Sequence, residues 1–133
     1  LSASEIPPVN QLSFTATAEV RSDVVAQGID DADIVADSVS IELAPQQLKM
    51  WAEGDSTRSE LLLEAGSGPL VTINAQQPVR ARYPLEYLKK ISKASRLAET
   101  AKLQLANDYP MKLEFIGQNM SLAIVLAPRV AEE

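Results

Sequence analysis

Cysteine and histidine are both absent from the 133 residues. Without a thiol there is no disulfide, no thiolate nucleophile and no sulfur-ligated metal. Without imidazole, the commonest general base and nitrogen ligand is missing as well. These gaps weigh against an enzyme, and they leave carboxylates as the remaining route to metal chemistry, through Mg²⁺. No apolar run reaches the roughly 18–20 residues that a membrane helix needs. The N-terminus also lacks the basic start and apolar core of a signal peptide. Positive charge is scarce: 12 Lys and Arg face 18 Asp and Glu, for a net charge of −6.

What is there is ordinary in amount and uneven in placement. The length suits one domain that buries roughly two-thirds of its unfolded surface. The chain up to Val79 carries three basic and twelve acidic residues. From Arg80 to Arg96 there are six basic residues and one acidic one, half of all the Lys and Arg. A nucleic-acid contact, if made, is therefore local, weak and salt-sensitive.

The basic stretch reads as a helix from Tyr83 to Ser95, with Pro84 tolerated in its first turn. At about 100° per residue, Glu86, Lys89, Lys90 and Lys93 share one stripe. Leu85, Leu88, Ile91 and Ser92 share another, so one side calls for a core and the other for water. By itself, a charged stripe most often means a solvated face.

Taken in order, residues 1–11 contain Ile6-Pro7-Pro8 and read as an extended linker end, which points to one part of a longer protein. Leu12 to Val20 alternates as a strand with one buried face. A helix follows, with Ser22 as its N-cap and Val25, Ile29 and Ala32 on its core side. Gly28 in mid-helix costs about 1 kcal/mol against Ala, so close packing is its expected reason. Three strands come next: one through Val39, Ile41 and Leu43, one through Leu48, Met50 and Ala52, and one from Thr57 to Ala65. Gly66-Ser67-Gly68-Pro69 is a break.

The order then recurs. Leu70 to Ala75 reads as a strand, the basic helix follows, and three more strands run through Leu103, Leu113 and Ile124. Ala36-Asp37-Ser38-Val39-Ser40-Ile41-Glu42-Leu43-Ala44 matches Ala98-Glu99-Thr100-Ala101-Lys102-Leu103-Gln104-Leu105-Ala106 with the apolar pattern in step. This is a repeat of strand, helix and three strands at a period of about 60. Its units span about 12–65 and 70–127. The expected fold class is α+β, with two helices side by side on one face of antiparallel sheet.

Three stretches carry a resemblance. They are Tyr83-Pro84-Leu85-Glu86-Tyr87-Leu88-Lys89-Lys90-Ile91-Ser92-Lys93-Ala94, then Asn107-Asp108-Tyr109-Pro110-Met111-Lys112-Leu113-Glu114-Phe115, then Leu126-Ala127-Pro128-Arg129-Val130. Together they resemble the proliferating cell nuclear antigen family of DNA sliding clamps, in wording closest to its archaeal members, from about Ile6 to the end. The resemblance implies the C-terminal half of a clamp subunit. Residues 1–11 would be the end of an interdomain connecting loop, and 12–133 a single clamp domain. The helices would line a ring's channel, with the sheets outside.

The resemblance also implies roles. Lys89 and Lys93 match channel-facing positions that meet duplex phosphates without reading sequence, with Lys90 at the edge of that stripe. No aromatic platform accompanies them, which fits duplex and not single strands. The first helix departs from the family: Gln27 and Asp30 stand where other clamps often carry basic residues, and Asp31 and Asp33 add to the repulsion of phosphate. A client-peptide pocket would be formed by Ile6, Pro7, Pro110, Val125, Ala127, Pro128 and Arg129. Subunit contacts would use edge strands, one with Thr57, Arg58, Ser59, Glu60, Leu61 and Leu62, the other with Leu122 and Ile124. The implied partners are double-stranded DNA, DNA polymerase, clamp loader, flap endonuclease, DNA ligase and other clamp domains. Those domains would form a homotrimer at full length; in the isolated half the two free edges point to head-to-tail association, with a six-membered ring as one form of it and a monomer or a domain dimer as the alternative. No membrane, cofactor or metal is implied. The location would be the cytoplasm beside the nucleoid in an archaeon, or the nucleus in a eukaryote.

Two other readings compete. A clamp-like adaptor would use the pocket and ignore DNA. A carboxylate–metal enzyme would use Asp30, Asp31, Asp33 and Asp37, although on a helix Asp30 and Asp31 point away from Asp33.

Overall fold

The computed structural model describes residues 14–66, 68 and 70–128. The expectations for residues 1–13, and with them Ile6 and Pro7, lie outside the described residues, as do those for Ser67, Pro69, Arg129 and Val130. The chain runs β1 (Ala16–Arg21), α1 (Ser22–Val35), β2 (Ser38–Ala44), β3 (Gln47–Glu53), β4 (Arg58–Glu64), β5 (Leu70–Ala75) and β6 (Val79–Pro84). Then come α2 (Leu85–Ser92), a 3₁₀ turn (Lys93–Leu97), β7 (Thr100–Leu105), β8 (Met111–Ile116) and β9 (Ser121–Leu126).

Alternation makes the strands. Val39, Ile41 and Leu43 of β2 are buried, as are Leu48, Met50 and Ala52 of β3 and Met111, Leu113 and Phe115 of β8. All strand pairs are antiparallel. They form a five-stranded sheet in the order β5-β1-β7-β8-β9 and a four-stranded sheet in the order β4-β3-β2-β6. The α+β class with two helices on antiparallel sheet therefore holds, and the sheet is divided in two. Each repeat lends its leading strand to the other: β1 pairs with β7, and β6 pairs with β2. One apolar core joins both sheets and both helices.

The expected strand before the second helix needs correcting. β6 supplies it, not Leu70–Ala75. Val79, Ala81 and Tyr83 are buried, while Arg80 is exposed and Arg82 half-buried on the other face. The repeat of strand, helix and three strands keeps its order with β6 in that place, and β5 is an added edge beside β1. Pro84 is accordingly the N-cap of α2, in extended backbone, rather than a first-turn residue. The Leu85 amide that follows donates to Asp37 O at 2.9 Å.

Ser22 is likewise not the N-cap. Arg21 takes that position and Ser22 is the first helical residue. The Ser22 hydroxyl is buried, 2.6 Å from Ala98 O and 3.1 Å from Ser95 O. It spends its proton on the segment after α2 instead of on its own helix end.

Gly28 has the expected reason. A Cβ there would lie 3.1 Å from Leu61 Cδ2 and 3.2 Å from Met50 Cε, so α1 sits directly on β3 and β4. The repeat extends to the hairpin turns. Gly54 N–H donates to Thr57 O at 2.8 Å, and Gly117 N–H donates to Met120 O at 2.9 Å. Each glycine fits under the end of a helical segment, where a Cβ would come within 2.7 Å of Val35 O or 2.3 Å of Leu97 O.

Candidate functional site

The basic face of α2 is created by what its other face buries. Leu85, Leu88 and Ile91 are nearly inaccessible, and each such side chain contributes about 1.5–3 kcal/mol on leaving water. That fixes the helix rotation and leaves Glu86, Lys89, Lys90 and Lys93 exposed. Lys93 falls in the 3₁₀ turn, which continues the stripe as far as Arg96.

α1 packs beside α2, and a groove of about 620 Å³ runs between them. Lys89, Lys90, Lys93 and Arg96 line it, with Asp30 and Glu86 as its acidic members. All three expected lysines are thus brought together. Arg96 completes the cluster; its place in the basic run from Arg80 to Arg96 was the available signal. Lys90 Nζ stands 5.6 Å from the Tyr87 ring centroid, which steadies it at the rim.

The acidic first helix is tied to the basic second one. Lys89 Nζ is 3.3 Å from Asp33 Oδ1, with both side chains about half exposed. A pair this wet contributes at most about 1 kcal/mol. On the same helix, Gln27 Nε2 donates to Asp31 Oδ1 at 2.9 Å. Among the described residues, no three carboxylates converge as a cation site would require.

The expected peptide-pocket residues that are described gather at one end of the five-stranded sheet. Met111 pairs with Leu126, so Pro110 precedes that pair while Ala127 and Pro128 follow it. Val125 pairs with Lys112 and is half-buried. The segment before Pro110 is well anchored. Tyr83 Oη donates to Tyr109 O at 2.6 Å, and the Phe14 and Tyr109 rings meet edge to face at 5.9 Å. Burial pushes the Tyr83 phenol above its ordinary value, and the Asp108 carboxylate adds to the shift.

Both expected contact strands are sheet edges. β4, with Arg58, Ser59, Glu60, Leu61 and Leu62, ends the four-stranded sheet, and Thr57 immediately precedes it. β9 ends the five-stranded one. Leu62 and Leu122 are 46% and 42% exposed, so each edge carries a wet apolar side chain. Ile124 is half-buried against the core. The two edges lie on different sheets and do not meet within one chain.

Comparison with known proteins agrees with this architecture. Residues 8–130 match the family model described as proliferating cell nuclear antigen, C-terminal domain. Curated relatives named DNA polymerase sliding clamp include one from Nanoarchaeum equitans, 35% identical over 92% of this chain and 50% of that protein. Another, from Methanopyrus kandleri, is 33% identical over 96% of this chain and 52% of that protein. The chain thus spans about half the length of the curated relatives it matches. Among solved structures, proliferating cellular nuclear antigen from Entamoeba histolytica superposes with a TM-score of 0.81 at 26% identity, over 95% of this chain and 49% of that one. PCNA from Thermococcus kodakaraensis shares the fold with a TM-score of 0.79 at 22% identity, over 95% and 53%. The chain belongs to the family of proliferating cell nuclear antigen C-terminal domains.

Proposed function

We propose that this chain acts as a non-enzymatic clamp domain. Its helix layer tracks duplex DNA without reading sequence. Its β8–β9 end takes short peptides of client proteins, and its free strand edges join it to other clamp domains. The observation that carries the reading is the gathering of Lys89, Lys90, Lys93 and Arg96 around one groove in a chain of net charge −6. Such a cluster attracts phosphates by releasing counterions, a term blind to base identity. Weak contact suits a sliding part, because processivity then comes from encirclement and tethering, which raise the effective concentration of a bound polymerase.

The clients belong to the same reading: DNA polymerase, clamp loader, flap endonuclease and DNA ligase, held through short motifs at Pro110, Val125, Ala127 and Pro128, with Ile6, Pro7 and Arg129 contributing from outside the described residues. An apolar hole with a few backbone hydrogen bonds suits an aromatic anchor. The ring is a homotrimer of two-domain subunits in which β4 and β9 pair with neighbouring domains. This chain alone associates head to tail through the same edges. Its place of work is the DNA: the cytoplasm beside the nucleoid in an archaeon, or the nucleus in a eukaryote.

The test is duplex binding across a salt series. The wild-type chain should bind weakly, with affinity falling steeply as salt rises. The double variant Lys89→Gln/Lys93→Gln should flatten the log–log salt slope by roughly 1–2. An unchanged slope would remove the duplex contact from this face.

A further inference from the structure

The four-stranded sheet turns one face to the helices and the other to solvent. On the solvent face, the registers align Arg82, Ser40, Trp51 and Glu60 in one row across β6, β2, β3 and β4. The neighbouring row is Arg80, Glu42, Lys49 and Leu62. Trp51 is the chain's only tryptophan, and it stands half-buried in the middle of this face. Ser40 is too small to fill the space between it and Arg82. The result is a depression of about 390 Å³ lined by Trp51, Ser40, Arg80 and Arg82, with Asn107 and Asp108 as its wall.

The wall is built into the fold. The Arg80 amide donates to Asn107 Oδ1 at 2.8 Å, and the Asp108 amide donates to Arg80 O at 3.1 Å. The β7–β8 turn therefore occupies the outer edge of β6 at Arg80. A visiting strand cannot extend the sheet there, and a ligand must lie on the face.

The charges on this face are unevenly matched. Lys49 Nζ is 3.2 Å from Glu60, and Arg58 is 3.7 Å from Glu60 and 2.7 Å from Glu53. Lys49 also lies 5.0 Å from the Trp51 ring centroid. That network occupies β3 and β4. Arg80 and Arg82 stand outside it, and among the described residues neither guanidinium has an ion pair within 4.0 Å, Glu42 included.

We propose that this depression is a docking site for an extended acidic peptide segment of a partner protein. Carboxylates at alternate positions of an extended peptide lie about 6.5–7 Å apart, the spacing of Arg80 and Arg82 along β6. Each guanidinium can grip one carboxylate in a fork. An apolar side chain of the same peptide covers the exposed part of the Trp51 indole, and tryptophan beside arginine is a typical anchor pair. A nucleic-acid backbone fits less well, because its phosphates would continue past the two arginines onto Glu42, Glu60 and Asp108. The site lies on the sheet face away from the helix groove, so it does not depend on the duplex reading and need not compete with duplex.

Trp51 reports on its own site. The probe is a short capped peptide of sequence Glu-Ala-Glu-Ala-Leu, whose two carboxylates and leucine share one face when extended, titrated against the full chain while tryptophan fluorescence is followed. A saturable change, weakened by salt, is expected. Arg80→Gln/Arg82→Gln should weaken binding about tenfold or more, and Lys89→Gln/Lys93→Gln should leave it unchanged. Ser40→Leu, which fills the depression without altering charge, should also abolish the change, with thermal melts verifying that each variant is folded. No saturable change, or one that survives both the arginine and Ser40 variants, overturns the proposal. So does a duplex or single-stranded oligonucleotide that displaces the peptide and loses binding in the Arg80/Arg82 variant, which would assign the site to nucleic acid.

Discussion

Asp33 is the residue that most directly limits the basic face. It holds Lys89 at 3.3 Å, so a phosphate must displace a carboxylate before it gains that ammonium. Asp33→Asn should therefore tighten duplex binding by about two- to fivefold at low salt, and the gain should vanish at high salt. Stability should change by less than about 1 kcal/mol, since the pair is half exposed. Titration and melting of the same sample check both. Tyr83 shows a different residue-scale effect. Its phenol is held protonated by burial and by Asp108, while an unfolded tyrosine releases its proton near pH 10.0. The folded state thus keeps a proton that the unfolded state loses. This contribution is complete below pH 10 and is lost as pH rises beyond it. Tyr83→Phe should cost about 1 kcal/mol at neutral pH, through the lost bond to Tyr109 O, and should show less alkaline destabilisation than the wild type in pH-dependent melts.

At the scale of elements, tight contacts set the strongest expectations. Gly28→Val would drive two methyls into Leu61 and Met50, and overpacking of this kind costs about 1–3 kcal/mol. Gly117→Ala should also lower the melting temperature, because its Cβ would come within 2.3 Å of the Leu97 backbone oxygen, which cannot swing aside as a side chain can. Urea and thermal melts of both variants check this. These elements also mark what the sequence made legible. The core faces of α1 and α2, the hairpins of β2–β3 and β8–β9, and the reason for Gly28 follow from local spacing. β6 was hidden because its alternation is only Val79, Ala81 and Tyr83, interrupted by two arginines and followed at once by a proline that also suits a helix start. Ser22 suits a cap because a serine oxygen can accept from the free amides of a helix start; its hydroxyl instead donates to Ser95 O and Ala98 O, which are distant in sequence. The lysine stripe was readable, but the Asp33–Lys89 bridge was not, since it depends on how two helices pack.

At the scale of the whole molecule, β4 and β9 each end a sheet among the described residues, and each carries an exposed leucine, Leu62 and Leu122. Light scattering over a concentration series should show mass rising above one chain, and Leu122→Lys should shift that rise to higher concentration by setting a charge on the β9 edge. A constant single-chain mass at every concentration would end the head-to-tail reading and leave the chain as a peptide-binding domain. The exchange of leading strands explains why the two halves form one unit: neither sheet is complete without a strand from the other repeat.

That exchange also sets a timetable for folding. β1 precedes both of its partners, β5 and β7, which begin at Leu70 and Thr100. A chain growing from its N-terminus carries β1 unpaired until β5 arrives just past the midpoint of these 133 residues, and with one edge unfilled until β7. Contacts so far apart in sequence slow the search for the native state, and acquisition of structure should be late, abrupt and shared by both repeats.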